Sequence, residues 1–126
     1  MAKKILVIDD EELIIKSLER LLNKEGFTVT VAENGAEAVE RVRDIDFDLV
    51  ITDVKMPDMD GIETLKKIRE ARRQMNKEVM PEIVVTGFAD PDKFEEAIAL
   101  DVTQYIFKPF DNAALLNAVK KALGGT

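Results

Sequence analysis

Four short apolar runs in this chain each lead into polar residues. Ile5-Leu6-Val7-Ile8 leads into Asp9 and Asp10, Leu49-Val50-Ile51-Thr52 into Asp53, Ile83-Val84-Val85 into Thr86, and Tyr105-Ile106-Phe107 into Lys108. Continuous apolar runs of this length suit strands covered on both faces, the condition of a parallel sheet. The stretches between them carry apolar residues at helical spacing. Strands alternating with helices give a parallel sheet with helices on both faces. Because such strands all point one way, their polar ends collect at the carboxyl edge, where open α/β sheets build their sites. Three carboxylates, a hydroxyl and an ammonium are thus expected in one pocket.

The pattern predicts a helix over Glu11 to Lys24, with Leu13, Ile14, Leu18, Leu21 and Leu22 near helical spacing and Gly26 as its stop. Phe27 to Val31 alternates strictly, which marks a second strand with one face less deeply covered, at a sheet edge. Asn34-Gly35 opens a second helix carrying Ala38, Val39 and Val42, and Phe47 to Asp53 is the third strand. After a loop from Val54, Asp60 caps a third helix with Ile62, Leu65 and Ile68 inward, Glu63 standing at capping-box spacing. Pro81 starts a fourth strand that ends at Thr86, and Asp90-Pro91 opens a fourth helix through Leu100. Gln104 to Lys108 is the fifth strand. Asp111 caps a last helix that turns Leu115, Leu116, Val119 and Leu123 inward and ends at Gly124-Gly125. An alternating second strand at one edge allows the order 2-1-3-4-5, a doubly wound five-stranded parallel sheet whose switch point faces Asp9 and Asp10 toward Asp53.

With 126 residues, the chain is sized for one domain over 1–126. It has no His and no Cys, which removes imidazole bases, thiolate nucleophiles and nitrogen or sulfur metal sites, so any phosphohistidine must come from a partner. A net charge of −7 opposes direct binding to nucleic acid. No apolar run reaches the roughly 18 residues of a membrane span, and no secretory leader is evident, so the cytoplasm is the expected location.

Carboxylates a few ångströms apart repel by about 4 kcal/mol per pair at an effective dielectric near 20, so a cluster needs a counter-charge. An all-oxygen site suits Mg²⁺, which keeps waters and accepts a phosphoryl oxygen, and nothing here matches a calcium loop. Lys108 would add a second positive charge and Thr86 a hydroxyl donor, giving a pocket for a phosphoryl group that one carboxylate can attack. Singly, each residue has a plain structural role open to it: Asp9, Asp10 and Asp53 as turn formers, Thr86 as a β-branched strand residue, Lys108 as a solvated amine, Tyr105 as edge packing. Their coincidence at strand ends favours the site.

The chain resembles the receiver domain of two-component response regulators, a chemotaxis-regulator-like, flavodoxin-like fold. The resemblance rests on Ile5-Leu6-Val7-Ile8-Asp9-Asp10-Glu11, Asp53-Val54-Lys55-Met56-Pro57-Asp58-Met59-Asp60-Gly61, Val85-Thr86-Gly87 and Tyr105-Ile106-Phe107-Lys108-Pro109-Phe110. It implies a phosphorylation-driven switch rather than a dedicated enzyme. Asp53 would take a phosphoryl group from a histidine kinase or a histidine phosphotransfer protein. Asp9, Asp10 and Asp53, with the backbone carbonyl of Lys55, would hold Mg²⁺. Lys108 would pair with the phosphoryl group, and Thr86 would hydrogen-bond it and draw its loop inward as Tyr105 turns in. The loop residues Pro57 and Gly61 and a cis Lys108-Pro109 bond belong to the same pattern. Helix 4, strand 5 and helix 5 would carry the message to a downstream protein or output domain.

Against the family pattern, Asp101 replaces a glycine before the last strand, a left-handed position that Asp tolerates. The acidic pair that often follows is absent, and Asp111 to Leu123 has no Arg, which argues against the dimer face of the winged-helix subclass. Lys55 and Phe88 flank the expected route of attacking water, and a bulky Phe88 is expected to slow hydrolysis. A phosphorylation-independent binding module and a phosphohydrolase are the alternatives. The full set of Asp9, Asp10, Asp53, Thr86 and Lys108 disfavours the first. The lack of an Asp-x-Asp after strand 1 disfavours the second.

Overall fold

A computed structural model describes residues 2–87 and 90–124. Five strands alternate with five helices: β1 (Lys4–Ile8), α1 (Glu12–Lys24), β2 (Thr28–Ala32), α2 (Gly35–Asp44), β3 (Leu49–Thr52), α3 (Gly61–Gln74), β4 (Glu82–Thr86), α4 (Pro91–Leu100), β5 (Gln104–Phe107) and α5 (Asn112–Ala122). All strand pairs are parallel, and the sheet order is β2-β1-β3-β4-β5. The register aligns Ile8 with both Ala32 and Thr52, and Thr86 with Phe107, so the carboxyl ends of the strands share one edge.

Strand side chains alternate between two apolar layers. Leu6, Ile8, Val50 and Val84 point to the layer of α2, α3 and α4, where Ala38, Val42, Ile62, Leu65, Ile68 and Ala97 pack. Ile5, Val7, Ile51, Ile83 and Val85 point to the layer of α1 and α5, against Leu18, Leu22, Leu115 and Val119. β2 lies at an edge with its middle residues only half-buried, as its alternation implies. The helix starts follow the sequence signals. Asn34, Asp60, Asp90 and Asp111 each accept a backbone N–H with the side chain, and Pro91 stands in the first turn of α4. Asp101 ends α4 at φ 60° and ψ 48°, the left-handed conformation expected of it, and Gly26 follows α1 at φ 91°.

Several strands are shorter than the sequence reading. β2 starts at Thr28, β3 spans only Leu49–Thr52, β4 starts after Pro81 and β5 stops at Phe107. The ladder nevertheless reaches the polar residues, because Asp53 N donates to Ile8 O and Lys108 N to Thr86 O. Leu13 is a clear correction. Expected on the inner stripe, it is 82% exposed. The buried face of α1 is Ile15, Leu18 and Leu22, and a residue two before Ile15 lies about 200° away around the helix. In α5, Leu115 and Val119 are buried while Leu116 and Leu123 are half-buried at the layer's margin. Gly125 lies outside the described residues, and the final turn is described only to Gly124.

Away from the carboxyl edge, a carboxylate is buried at the start of β4. Glu82 opens β4 with 2% of its surface exposed, and its carboxylate takes two hydrogen bonds from Arg69 of α3. Arg69 Nη2 also donates to the carbonyl of Leu100 at 2.6 Å, so one guanidinium ties α3 and β4 to the end of α4. Thr103 Oγ1 accepts from Glu82 N at 3.0 Å. Removing one partner of such a pair strands the other charge in the interior. Arg69→Ala should therefore cost about 3 kcal/mol in chemical denaturation, with Glu82→Gln recovering part of the loss in the double variant.

Candidate functional site

The carboxyl edge gathers the residues that the strand ends promised. Asp9 and Asp53 are buried, Asp10 beside them is exposed, and carboxylate oxygens of all three lie within 4.8 Å of one another. Lys108 arrives from β5 with its side chain mostly covered. Its Nζ lies 3.0 Å from Asp53 Oδ2 and 3.1 Å from Asp9 Oδ2. Asp53 Oδ1 accepts from the N–H groups of Val54 at 2.6 Å and Lys55 at 3.3 Å. Asp9 Oδ1 accepts from Glu11 N at 3.0 Å. Backbone and ammonium thus divide the carboxylate oxygens between them. A cavity of about 340 Å³ opens over this cluster, lined by Asp10, Glu11, Asp53, Lys55, Thr86, Gly87 and Lys108. The oxygen-only donor set, two members buried and one open to the cavity, fits a hard divalent cation such as Mg²⁺.

The charges feel their burial. Desolvation pushes the Asp9 carboxyl above its ordinary value, aided by the nearby Asp53 charge and only partly opposed by Glu11 N–H and Lys108. Burial works against the Lys108 ammonium too. The hydrogen bond it donates to Asp53 and the negative charges of Asp9 and Asp53 outweigh it and hold the amine above its usual range.

The loop that supports Asp53 is tightly folded. Asp58 has φ 68°, Met59 N donates to Pro57 O at 2.7 Å, and Gly61 N donates to Val54 O at 2.8 Å. Gly61 opens α3 directly beneath the site, where a Cβ would stand 1.8 Å from the backbone carbonyl of Asp53. The buried Thr52 hydroxyl donates to that carbonyl at 2.9 Å. Pro57 is exposed at the turn, and the Lys108-Pro109 peptide bond is cis.

Thr86 is fully buried at the end of β4. Tyr105 sits half-buried on β5, its ring edge-on to Phe94 at 5.0 Å and to Phe107 at 5.3 Å. Its hydroxyl is buried and makes no hydrogen bond among the described residues. Burial, then the charges of Asp90 and Asp53, pushes that phenol up from its ordinary value. Phe88, expected near the water route, lies outside the described residues.

Two participants were missed by sequence reasoning. Glu11 places Oε1 3.5 Å from Lys108 Nζ, and its signal was its position directly after Asp9-Asp10. Lys93 of α4 reaches Asp60 Oδ2 at 2.7 Å and Glu96 at 3.0 Å. Asp60 Oδ1 meanwhile caps α3, so one carboxylate serves both the helix start and the bridge to α4. Thirty-three positions separate Lys93 from Asp60, and no local pattern links them.

An acidic pocket at the carboxyl edge of a 2-1-3-4-5 sheet, faced by a lysine from the last strand, defines a phosphoacceptor class of α/β domain. Residues 5–120 match the response regulator receiver domain, and the chain belongs to that family, whose members are switches of two-component systems. Relatives include the transcriptional regulatory protein ZraR of Klebsiella oxytoca, 38% identical over 97% of this chain but 26% of the relative. The chain thus spans about a quarter of that protein's length. The chemotaxis protein CheY of Halobacterium salinarum is 34% identical over 98% of both chains. Among solved structures, a CheY-like receiver domain protein from Methanospirillum hungatei superposes with a TM-score of 0.89 at 31% identity, over 98% of this chain and 95% of that one. The receiver domain of a Pseudomonas aeruginosa sensor histidine kinase, crystallised with magnesium in its active site cleft, reaches 0.84 at 25% identity over 99% and 100%. Among the described residues, no helix is long and apolar enough to cross a membrane.

Two outcomes follow from this geometry. Tyr105→Phe removes a buried hydroxyl that has no partner among the described residues, so unfolding free energy should stay level or rise by about 1 kcal/mol. The second concerns Asp60. Burial opposes its charge, but the hydrogen bonds from Lys93 and from the N–H groups of Glu63 and Ile62 hold its pKa below 3.8. Its stabilising contribution is therefore present above the unfolded pKa and lost as pH falls through the folded value. In Lys93→Met, acid titration of stability should show a smaller loss in that window, with little change at neutral pH beyond the modest worth of a partly exposed pair.

Proposed function

We propose that the domain switches by accepting a phosphoryl group on Asp53. One observation carries the reading: Lys108 Nζ bridges Asp53 and Asp9 on the floor of an open cavity whose wall includes the buried Thr86. Asp53 Oδ1 is held by two backbone N–H groups, which aims Oδ2 at the cavity as the attacking oxygen. A bond forms from Oδ2 to phosphorus while the bond from phosphorus to the donor's imidazole nitrogen breaks. The imidazole leaves as the neutral ring after proton uptake, and the product is an acyl phosphate. The donor histidine belongs to a kinase or phosphotransfer partner, because this chain has none.

Lys108 then exchanges a carboxylate oxygen for a phosphoryl oxygen, and Thr86 supplies a hydroxyl to another. Asp9, Asp10, Asp53 and the Lys55 carbonyl would hold Mg²⁺, which supplies neutralisation of the charge gathered in the pocket. The open-sided, oxygen-only cluster supports that role, as does the magnesium found in the cleft of the Pseudomonas aeruginosa relative. Movement of Thr86 toward the phosphoryl group would be felt in α4, which starts a few residues later, and in Tyr105. The face of α4, β5 and α5 is the surface that a downstream protein or output domain reads.

The test is intact mass after incubation with Mg²⁺ and a small-molecule phosphodonor, beside Asp53→Asn and a metal-free control. One added phosphoryl group, absent from both controls, is the expected result. A folded protein that binds Mg²⁺ yet stays unmodified by this donor and by candidate kinases would instead be a phosphorylation-independent binding module.

A further inference from the structure

α4 is the least buried helix in the layer of α2, α3 and α4. Only Ala97 of its ten residues is buried, while Phe94 is 40% and Ile98 59% exposed. Pro91, Phe94 and Ile98 form one stripe at helical spacing. Phe107 of β5, 51% exposed, continues it through Tyr105 as an unbroken run of ring contacts from Phe94. Between the two elements lies an almost wholly apolar depression of about 280 Å³, lined by Asp90, Pro91, Phe94 and Phe107. Large exposed side chains gathered in one place mark a surface built to be covered.

The charges around the stripe select what covers it. Asp92 and Glu95 are exposed on the solvent side of Pro91 and Ile98, and Asp90 stands at the head of the depression. Lys93 is the helix's only cation, and it turns away toward Asp60 and Glu96. Lys108, the nearest cation on the neighbouring loop, is turned to Asp9 and Asp53. The apolar stripe is therefore bordered by carboxylates whose charge no lysine of α4 offsets. A second copy laid face to face on α4 would set Asp92 and Glu95 against the same acids, which opposes self-pairing.

We infer that the α4–β5 face binds an amphipathic partner segment whose apolar anchor, an aromatic or branched aliphatic side chain, is flanked by lysine or arginine. The anchor enters the depression between Phe94 and Phe107, and the flanking cations meet Asp90, Asp92 and Glu95. This deepens the proposed function by naming the chemistry of the downstream partner, and it rests on that reading for which face is switched. The binding itself is measured without phosphorylation, so the two readings fail separately.

The whole chain, labelled with ¹⁵N, is titrated with three synthetic helical peptides. The first has a leucine and phenylalanine face bordered by lysines. The second has the same face bordered by glutamates. The third is a scramble of the first, with equal charge and no apolar face. The first should bind at least about tenfold more tightly than the others, from two or three charge pairs plus the anchor. Its shift changes should centre on residues 91–98 and 104–107. Phe107→Ala should weaken it, and Asp92→Lys with Glu95→Lys should reverse the preference between lysine and glutamate borders. Glu40→Lys with Asp44→Lys, on the exposed side of α2, should leave that preference intact. Equal binding of the scramble, shift changes centred elsewhere, or an unchanged preference in the α4 double variant would each overturn the inference. Self-association that buries Phe94 in the absence of peptide would replace the partner with a second copy.

Discussion

Two buried carboxylates beside one another are tolerable in this fold because a lysine from a distant strand stands between them. Lys108 is 55 positions from Asp53 and 99 from Asp9, and only the completed sheet brings the three together. Repulsion of about 4 kcal/mol between such carboxylates at an effective dielectric near 20 would otherwise act against closing the carboxyl edge. The site is thus also a fold constraint. Burial, far more than the Asp53 charge, holds the Asp9 carboxyl above its ordinary value, and Lys108 opposes this only in part.

That arrangement divides the molecule into firmly and loosely held parts. α3 buries Ile62, Leu65, Ile68 and Ala71, and its first residue is pressed against the Asp53 carbonyl so closely that no Cβ fits. The phosphoacceptor candidate therefore sits on a rigid support. α4 buries Ala97 alone and is held at its two ends by polar contacts, Lys93 to Asp60 and Arg69 to the Leu100 carbonyl. Polar tethers at a surface contribute little and re-form with water or new partners, whereas apolar burial must be undone at once. α4 is consequently held more lightly than α3.

The fold was legible because its signals are local or periodic. Strand runs ending in polar residues, one alternating edge strand and four side-chain caps marked the element order, and the edge strand allowed, without fixing, the sheet order that the structure has. Asp9, Asp10, Asp53, Thr86 and Lys108 were legible for the same reason, since each stands at a strand end. Leu13 was misplaced because its apolar character invited inclusion in a stripe that Ile15 occupies. The Lys93 bridge and the Arg69 clamp had no sequence signal, because charged pairs across helices have no period. The orphaned Tyr105 hydroxyl was invisible too: residue type says that a phenol prefers a partner, and only the packing of Phe94 and Phe107 shows that it lacks one among the described residues.

Magnitudes connect these parts to the proposed switch. Carrying a two-state element from 1:99 to 99:1 takes about 5.5 kcal/mol of differential contact. A hydrogen bond to a charged group contributes about 1.5–3 kcal/mol. Lys108 already bonds two carboxylates, so its move to a phosphoryl oxygen is an exchange and adds less than a new bond. Contacts of Lys108 and Thr86 with a phosphoryl group would therefore fall short of the full range unless the resting placement of α4 is itself only weakly favoured. Two features supply that condition: the partly exposed Lys93 tether, worth at most about 1 kcal/mol, and the Tyr105 hydroxyl, unpartnered among the described residues, which costs about 1 kcal/mol where it lies. A resting state held this lightly needs a smaller push than the full range, one of the size that exchanged contacts at Lys108 and Thr86 could provide.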